Sequence, residues 1–326
     1  MEKSAVDHIT TQETVSINDL ESLIRGYIVG CRCEGKSAKT IDSYQMVLRN
    51  FLWLCRQKGY PLEPQRINAS HIREFLWYLA SETNRWGNKS TAARKPASKT
   101  TVHDYFRILR TYFGWLEREG LIKDNPFKYL KRPKTDKKIV QALTSSEIKR
   151  LLKACLAKTA LDTRNRAIIC ILLDCGLRIS ELASLTIDDV SVNSGILLIR
   201  HGKGGKQRTV RMGSQAQKAL WRYLSIYRKG DSNKLFLTRS GEPLDVVGIK
   251  MMVKRLGNKA NIKVHPHKLR HTFAISFLRA GGDAFSLQYL LGHSTLQMTQ
   301  RYLQSLNADD AINAHRKFSP LDNMKM

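Results

Sequence analysis

Four short stretches in the second half of the chain carry residues whose types suit chemistry at an anion. In Cys175-Gly-Leu-Arg178 an arginine follows an apolar run and a glycine turn, and Glu181 stands three residues further on. The two could form an ordinary surface ion pair. Alternatively, Glu181 could hold the guanidinium in one place, as a planar fork suited to phosphate oxygens. Gly202-Lys203-Gly-Gly-Lys206 sits between two strand-like runs and lacks the spacing of a phosphate-cradling P-loop. Lys203 is either a solvated charge or a lysine on a flexible turn that reaches a phosphate. His267-Lys-Leu-Arg270 places His and Arg three apart, on one face of a helix. They read as a surface pair or as two groups converging on one anion, whereas His271 points about 100° away in an ideal helix. Leu290-Leu-Gly-His293 closes another helix, and Tyr302 follows nine residues later. Tyr302 could be a packed aromatic or a nucleophile. Its rival Tyr289 lies among Leu287, Leu290 and Leu291 and is expected in the core.

Together these residues are two arginines, a lysine, two histidines and a tyrosine, without clustered acids. A two-metal nuclease needs carboxylates to hold its ions, and a zinc hydrolase needs a ligand cluster. Neither pattern is present, and no metal or other cofactor is expected. Arginine and lysine can instead neutralise a phosphodiester transition state, and a tyrosine can attack phosphorus covalently. That set suits metal-independent strand transfer in DNA.

Composition points to the same polyanion. Of 326 residues, 55 are Lys or Arg and 28 are Asp or Glu, a formal charge of +27. Residues 1–138 carry 25 basic and 15 acidic side chains, and residues 139–326 carry 30 and 13, so the excess is +10 and +17. Both parts are basic, and such a chain repels itself unless a polyanion is near. Nucleic acid is the leading partner. An anionic membrane surface is weaker, because the basic residues are not gathered on one amphipathic helix. The longest apolar run, Ala167 to Leu173, is far below the ~20 residues that span a bilayer. The start, Met1 to Asp7, has no basic-then-apolar signal layout, so a cytoplasmic protein is expected. The six cysteines form no Cys-x-x-Cys pair and read as small core residues.

The elements that must position these groups follow from periodicity. Residues 1–16 are polar and expected to be disordered. Helices are predicted over 17–30, 37–58, 70–81 and 100–119, giving a small basic helical bundle over 17–130. Asn84 to Lys99 contains Arg85, Lys89, Arg94, Lys95 and Lys99 and no acid, and is expected to be a basic loop. Lys131-Arg-Pro-Lys-Thr-Asp-Lys-Lys138 offers no apolar side chain for packing, and 131–141 is expected to be a linker. Thr144-Ser-Ser-Glu147 is a capping-box pattern opening a second domain over 142–326. There, helices are predicted over 164–175, 180–185, 214–228, 246–260, 267–280, 285–291, 295–303 and 309–318. Strands are predicted over 195–200 and 207–211. The fold class is mainly α, a helical domain followed by a mixed α+β domain with a small antiparallel sheet.

The second domain resembles the tyrosine recombinase (phage integrase) family. The matching stretches are Cys175-Gly-Leu-Arg-Ile-Ser-Glu-Leu-Ala-Ser-Leu185, Gly202-Lys-Gly-Gly-Lys-Gln-Arg208, His265-Pro-His-Lys-Leu-Arg-His-Thr-Phe-Ala274, and Leu290-Leu-Gly-His293 with Tyr302. They occur in the family's order across residues 142–303. Residues 17–130 look like the family's SAM-like core-binding domain. The resemblance implies that Arg178 and Arg270 bind the scissile phosphate and that Lys203 is the general acid for the departing 5′ hydroxyl. It implies that His267 assists proton transfer, that His293 hydrogen-bonds the phosphate and that Glu181 orients Arg178. Tyr302 would then attack and form a 3′-phosphotyrosyl link that stores the bond energy, so rejoining needs no ATP.

The resemblance further implies double-stranded DNA with inverted-repeat core sites as substrate and a homotetramer on two such sites. The two basic bodies would clamp the duplex, and the last helix would dock on a neighbouring subunit or pack on its own. Little sequence precedes the first domain, and the 84–99 loop is longer than a minimal Xer-type protein needs. The first feature favours a simple recombinase of the Xer or transposon type, and the second leans towards a mobile element; the protein is expected to be cytoplasmic and bound to the nucleoid with its DNA. A non-catalytic DNA binder and a type IB topoisomerase are the alternatives.

Overall fold

The computed structural model describes residues 19–87, 93–136, 141–155, 159–200 and 207–306, with isolated positions beyond. Residues 1–16, part of the 84–99 loop, Lys203 and most of 309–318 lie outside the described residues. The chain divides into two bodies at Lys138 and Ile139.

The first body is helical because its apolar residues recur every three or four positions. Helix α1 (Leu20–Cys33) starts at Asp19, whose carboxylate accepts the Ser22 N–H at 2.7 Å. Helix α2 (Ala38–Lys58) starts at Ser37 and stops at Gly59 in the left-handed region. Helices α3 (Ala69–Ser81) and α4 (Lys99–Arg118) complete the bundle. Their inward stripes meet in an aromatic core, where Phe51 sits edge-on to Phe75 and Phe113 at 5.1 and 6.1 Å. Among the described residues of the basic loop, one cation is not solvated. Arg85 is buried, and its guanidinium donates to the carbonyls of Glu82 and Lys95.

In the second body α5 (Ser145–Lys153) opens with the expected capping box. Thr144 Oγ1 accepts the Glu147 N–H at 3.2 Å, and Glu147 accepts the Thr144 N–H at 2.8 Å. Helix α6 (Ala160–Cys175) packs against α8 (Ser214–Arg222) and α10 (Pro266–Arg279). Ala167, Ile168, Ile169, Ile171 and Leu172 are fully buried, so α6 is apolar nearly all round. Each of the buried Ile and Leu side chains contributes about 1.5–3 kcal/mol of burial. A three-stranded antiparallel sheet, β1 (Val190–Ser191), β2 (Ile196–Ile199) and β3 (Arg208–Arg211), pairs Leu197 with Val210 and Ile199 with Arg208. Short helices α7 (Ile179–Ser184), α11 (Ala284–Leu291) and α12 (Leu296–Leu303) and the longer α9 (Val246–Lys259) finish the body.

The helix predicted over 214–228 is not continuous. It widens into a π turn at Tyr223–Tyr227, where Tyr223 stacks on Phe236 and its hydroxyl accepts the Leu237 N–H at 3.1 Å. Five cysteines are buried, Cys33 is exposed, and all six are free thiols. Among the described residues no helix is long and apolar enough to cross a membrane.

Candidate active site

The site begins where α6 must stop. Gly176 has φ +60°, and a Cβ there would lie 2.2 Å from Phe273 Cδ1, so only glycine lets the chain turn against α10. Two residues on, Arg178 caps α7, and its backbone N–H donates to Glu181 Oε2 at 2.8 Å. Its Nη1 donates to Glu181 Oε1 at 2.8 Å and its Nη2 to the Gly292 carbonyl at 3.0 Å. Arg270 emerges from the first turns of α10 and is buried. Its Nη1 donates to the Gly176 carbonyl and its Nη2 to the Leu291 carbonyl, both at 2.7 Å.

A third arginine joins them. Arg208 on β3 donates from Nη1 and Nη2 to the two oxygens of Glu181 at 3.0 and 2.8 Å, and from Nε to the Leu290 carbonyl at 2.8 Å. Glu181 is 1% exposed and accepts four hydrogen bonds, with Arg270 Nη1 4.0 Å away. Burial pushes its carboxyl up. The hydrogen bonds from Arg208 and Arg178 outweigh that and hold it below the usual carboxylate range. Three successive carbonyls at the end of α11 thus each receive one guanidinium. Gly292 again has positive φ, +62°, and a Cβ there would lie 2.9 Å from Arg208 Nη1.

Arg178, His267, Arg270 and His293 line one cleft of about 300 Å³, together with Ser180, Pro266 and Met298. Both imidazoles are held below the usual histidine range. Burial and the Arg270 charge lower His267, and burial with Arg270, Arg178 and Arg208 lowers His293 to about 4. Burial and the neighbouring Arg178 lower Arg270 to about 10, so it remains a cation at neutral pH. His293 Nδ1 lies 2.9 Å from the buried Thr299 hydroxyl. In the tautomer that takes the hydroxyl proton at Nδ1, Nε2 carries hydrogen and can donate to an anion.

Tyr302 is buried on α12, its ring stacked parallel to His293 at 5.9 Å and tilted on His271 at 5.3 Å. His271 therefore packs behind the tyrosine, while His267 faces the cleft. Tyr289 is not in the core. It is 59% exposed, because Leu287 and Leu291, four apart, take the inward face of α11. Among the described residues no group of three or more His, Cys, Asp or Glu could hold a metal ion. Sequence reasoning left Arg208 and Thr299 without a role. The signals were an arginine at a core-facing strand position and a threonine three residues before Tyr302.

The phage integrase family model matches residues 141–308, and the phage integrase SAM-like domain matches residues 28–139. The chain belongs to the phage integrase family of tyrosine recombinases. It is 40% identical over 276 residues to tyrosine recombinase XerC of Bacillus pumilus, covering 82% of this chain and 86% of that protein. It is 36% identical over 317 residues to XerC of Oceanobacillus iheyensis, covering 94% and 99%. The fold of this recombinase is shared with the Tn1549 transposon integrase in complex with a circular intermediate DNA. That match has a TM-score of 0.71 and 23% identity, over 91% of this chain and 99% of the other. XerH recombinase bound to palindromic difH substrate matches with a TM-score of 0.68 and 22% identity, over 93% and 85%.

Proposed function

We propose that this tyrosine recombinase cleaves and rejoins DNA at specific duplex sites through a covalent bond on Tyr302. The observation that carries it is the convergence of Arg178, Arg270, His267 and His293 on one cleft, with the Tyr302 ring against His293. Arg178 and Arg270 bind the non-bridging oxygens of the scissile phosphate, and His293 donates a hydrogen bond to it. Cations aimed at a dianionic phosphorane lower its energy where charge develops. The Tyr302 hydroxyl attacks phosphorus and loses its proton to His267. The P–O5′ bond breaks as the new O–P bond forms, and Lys203 gives a proton to the departing 5′ oxygen. Attack by another strand's 5′ hydroxyl reverses these steps and releases the tyrosine. Glu181 orients Arg178.

DNA is the partner that a chain of formal charge +27 favours. Residues 17–130 form the core-binding domain, 131–141 a basic linker and 142–326 the catalytic domain. The protein acts as a homotetramer on two inverted-repeat core sites, with the 309–318 helix docked on a neighbouring subunit. Its role is integration, excision or resolution of a mobile element, carried out at the nucleoid.

The test uses nicked suicide duplexes drawn from the DNA flanking the gene, with EDTA present. An SDS-resistant, protease-sensitive adduct is expected from wild type and not from Tyr302→Phe, and sequencing the trapped DNA identifies the site. Retardation of DNA by both proteins without any adduct would instead mark a binding protein. An adduct from Tyr302→Phe would move the nucleophile to another tyrosine, Tyr289 first.

A further inference from the structure

Arg208 is a buried cation for which the chemistry above has no use. Positions 208 and 210 of β3 face the core, and 209 and 211 face out. Val210 suits that face. An arginine belongs there only if its N–H groups find acceptors. Three do, on both oxygens of Glu181 and on the Leu290 carbonyl. With 4% of its side chain exposed, Arg208 does not reach a ligand in the cleft.

We propose that Arg208 is a positioning residue that occupies Glu181 so that Arg178 cannot close onto it. The inference rests on Arg178 acting as a phosphate ligand. A carboxylate facing a single guanidinium favours a two-bond fork. Here that fork belongs to Arg208. Arg178 keeps one side-chain bond to Glu181, spends Nη2 on Gly292, and leaves 22% of its side chain exposed at the cleft. Without Arg208, two lone-pair sites on Glu181 open beside Arg178. Its guanidinium then turns into the fork and away from the cleft, its charge neutralised. The end of α11 loosens at the same time. Leu290 loses its donor one residue before the carbonyl that holds Arg270 and three before His293.

The experiment measures single-turnover adduct formation on the trapped suicide duplex, alongside DNA retardation and thermal midpoint. It compares wild type, Arg208→Met, Arg208→Lys, and Arg208→Met combined with Glu181→Gln. Arg208→Met is expected to retard DNA like wild type but to form adduct about tenfold or more slowly, the worth of a lost charged fork. Arg208→Lys keeps the charge without the fork and falls between. Adding Glu181→Gln removes the carboxylate that traps Arg178, so the double variant reacts at least about threefold faster than Arg208→Met. A residue that only stabilises the fold predicts the opposite, a second loss on top of the first. A double variant no faster than Arg208→Met therefore overturns the proposal, as does an Arg208→Met rate equal to wild type. If Arg208→Met does not fold, the same comparison is made in the Arg208→Lys background. A wild type without adduct refutes the recombinase chemistry itself, and this inference falls with it.

Discussion

Glu181→Gln is the most informative single change to the stability of the second body. The carboxylate is 1% exposed and accepts four hydrogen bonds from Arg178 and Arg208, with Arg270 at 4.0 Å. The amide has nearly the same shape but no charge, and it turns an N–H toward groups that are already donors. Arg208, buried and with no other carboxylate in contact among the described residues, becomes an uncompensated cation. Removing one partner of a buried pair costs about 3–5 kcal/mol. For a body of roughly 190 residues, 1 kcal/mol moves the midpoint by about 2–4 °C, so a loss of roughly 6–20 °C is expected. Calorimetry on the full chain measures it. The sign with pH follows from the lowered carboxyl of Glu181. Its contribution is complete above the unfolded value of about 4.3 and disappears as pH falls through the folded value. Wild type and variant should thus converge in acid. A midpoint shift below about 2 °C at pH 7, or a gap unchanged down to pH 3, would refute the argument.

Two further outcomes are expected. In the DNA-free protein the His293 ring should stay neutral from pH 8 down to about 5 and titrate near 4 by NMR, because burial and three arginines oppose its charge. The unfolded chain binds that proton near 6.5, so this group withdraws stability as pH falls from 6.5 towards 4; a midpoint near 6.5 would contradict the geometry. Gly176→Ala should destabilise by at least about 2 kcal/mol more than Gly59→Ala. Both glycines have positive φ, but a Cβ at Gly59 meets nothing within 4 Å while one at Gly176 meets Phe273 at 2.2 Å. Equal thermal losses would show that Phe273 yields freely.

What the sequence reveals here is what local physics controls. The apolar stripe of α2, the Thr144–Glu147 capping box and the glycines that end α2 and α6 all act within a few residues, and each is legible. The motif residues around the cleft are legible through the family resemblance of their short stretches; read alone, each leaves a surface or packing alternative open. Features set by distant partners are not. Strand β1 has two residues, too few for alternation to register. The Tyr223–Tyr227 widening depends on Phe236 and Leu237. Arg85 counts as one more charge in a basic loop until the Lys95 carbonyl closes on it. In Gln207-Arg-Thr-Val-Arg211 alternation puts Arg208 on the face of Val210 and Arg211 on the other, but the acceptors that let a cation sit there, Glu181 and the Leu290 carbonyl, are far away in sequence.

That inward arginine bears on how the cleft stays positive. Three guanidiniums surround one carboxylate, which leaves two positive charges in excess at a largely buried site. A second carboxylate would relieve the crowding, but it would also repel the phosphate and weaken the very interaction the cations exist to make. The chain uses dipoles instead. The carbonyls of Leu290, Leu291 and Gly292 close α11 and take Arg208, Arg270 and Arg178 in turn. The C-terminal end of a helix carries partial negative charge, so these acceptors stabilise cations without contributing a full anion. Gly176 supplies a fourth carbonyl to Arg270. Peptide dipoles hold the arginines in place while their net charge remains available to a phosphodiester. The short motif Leu290-Leu-Gly-His293 therefore does two jobs, presenting His293 to the cleft and anchoring the three guanidiniums beside it.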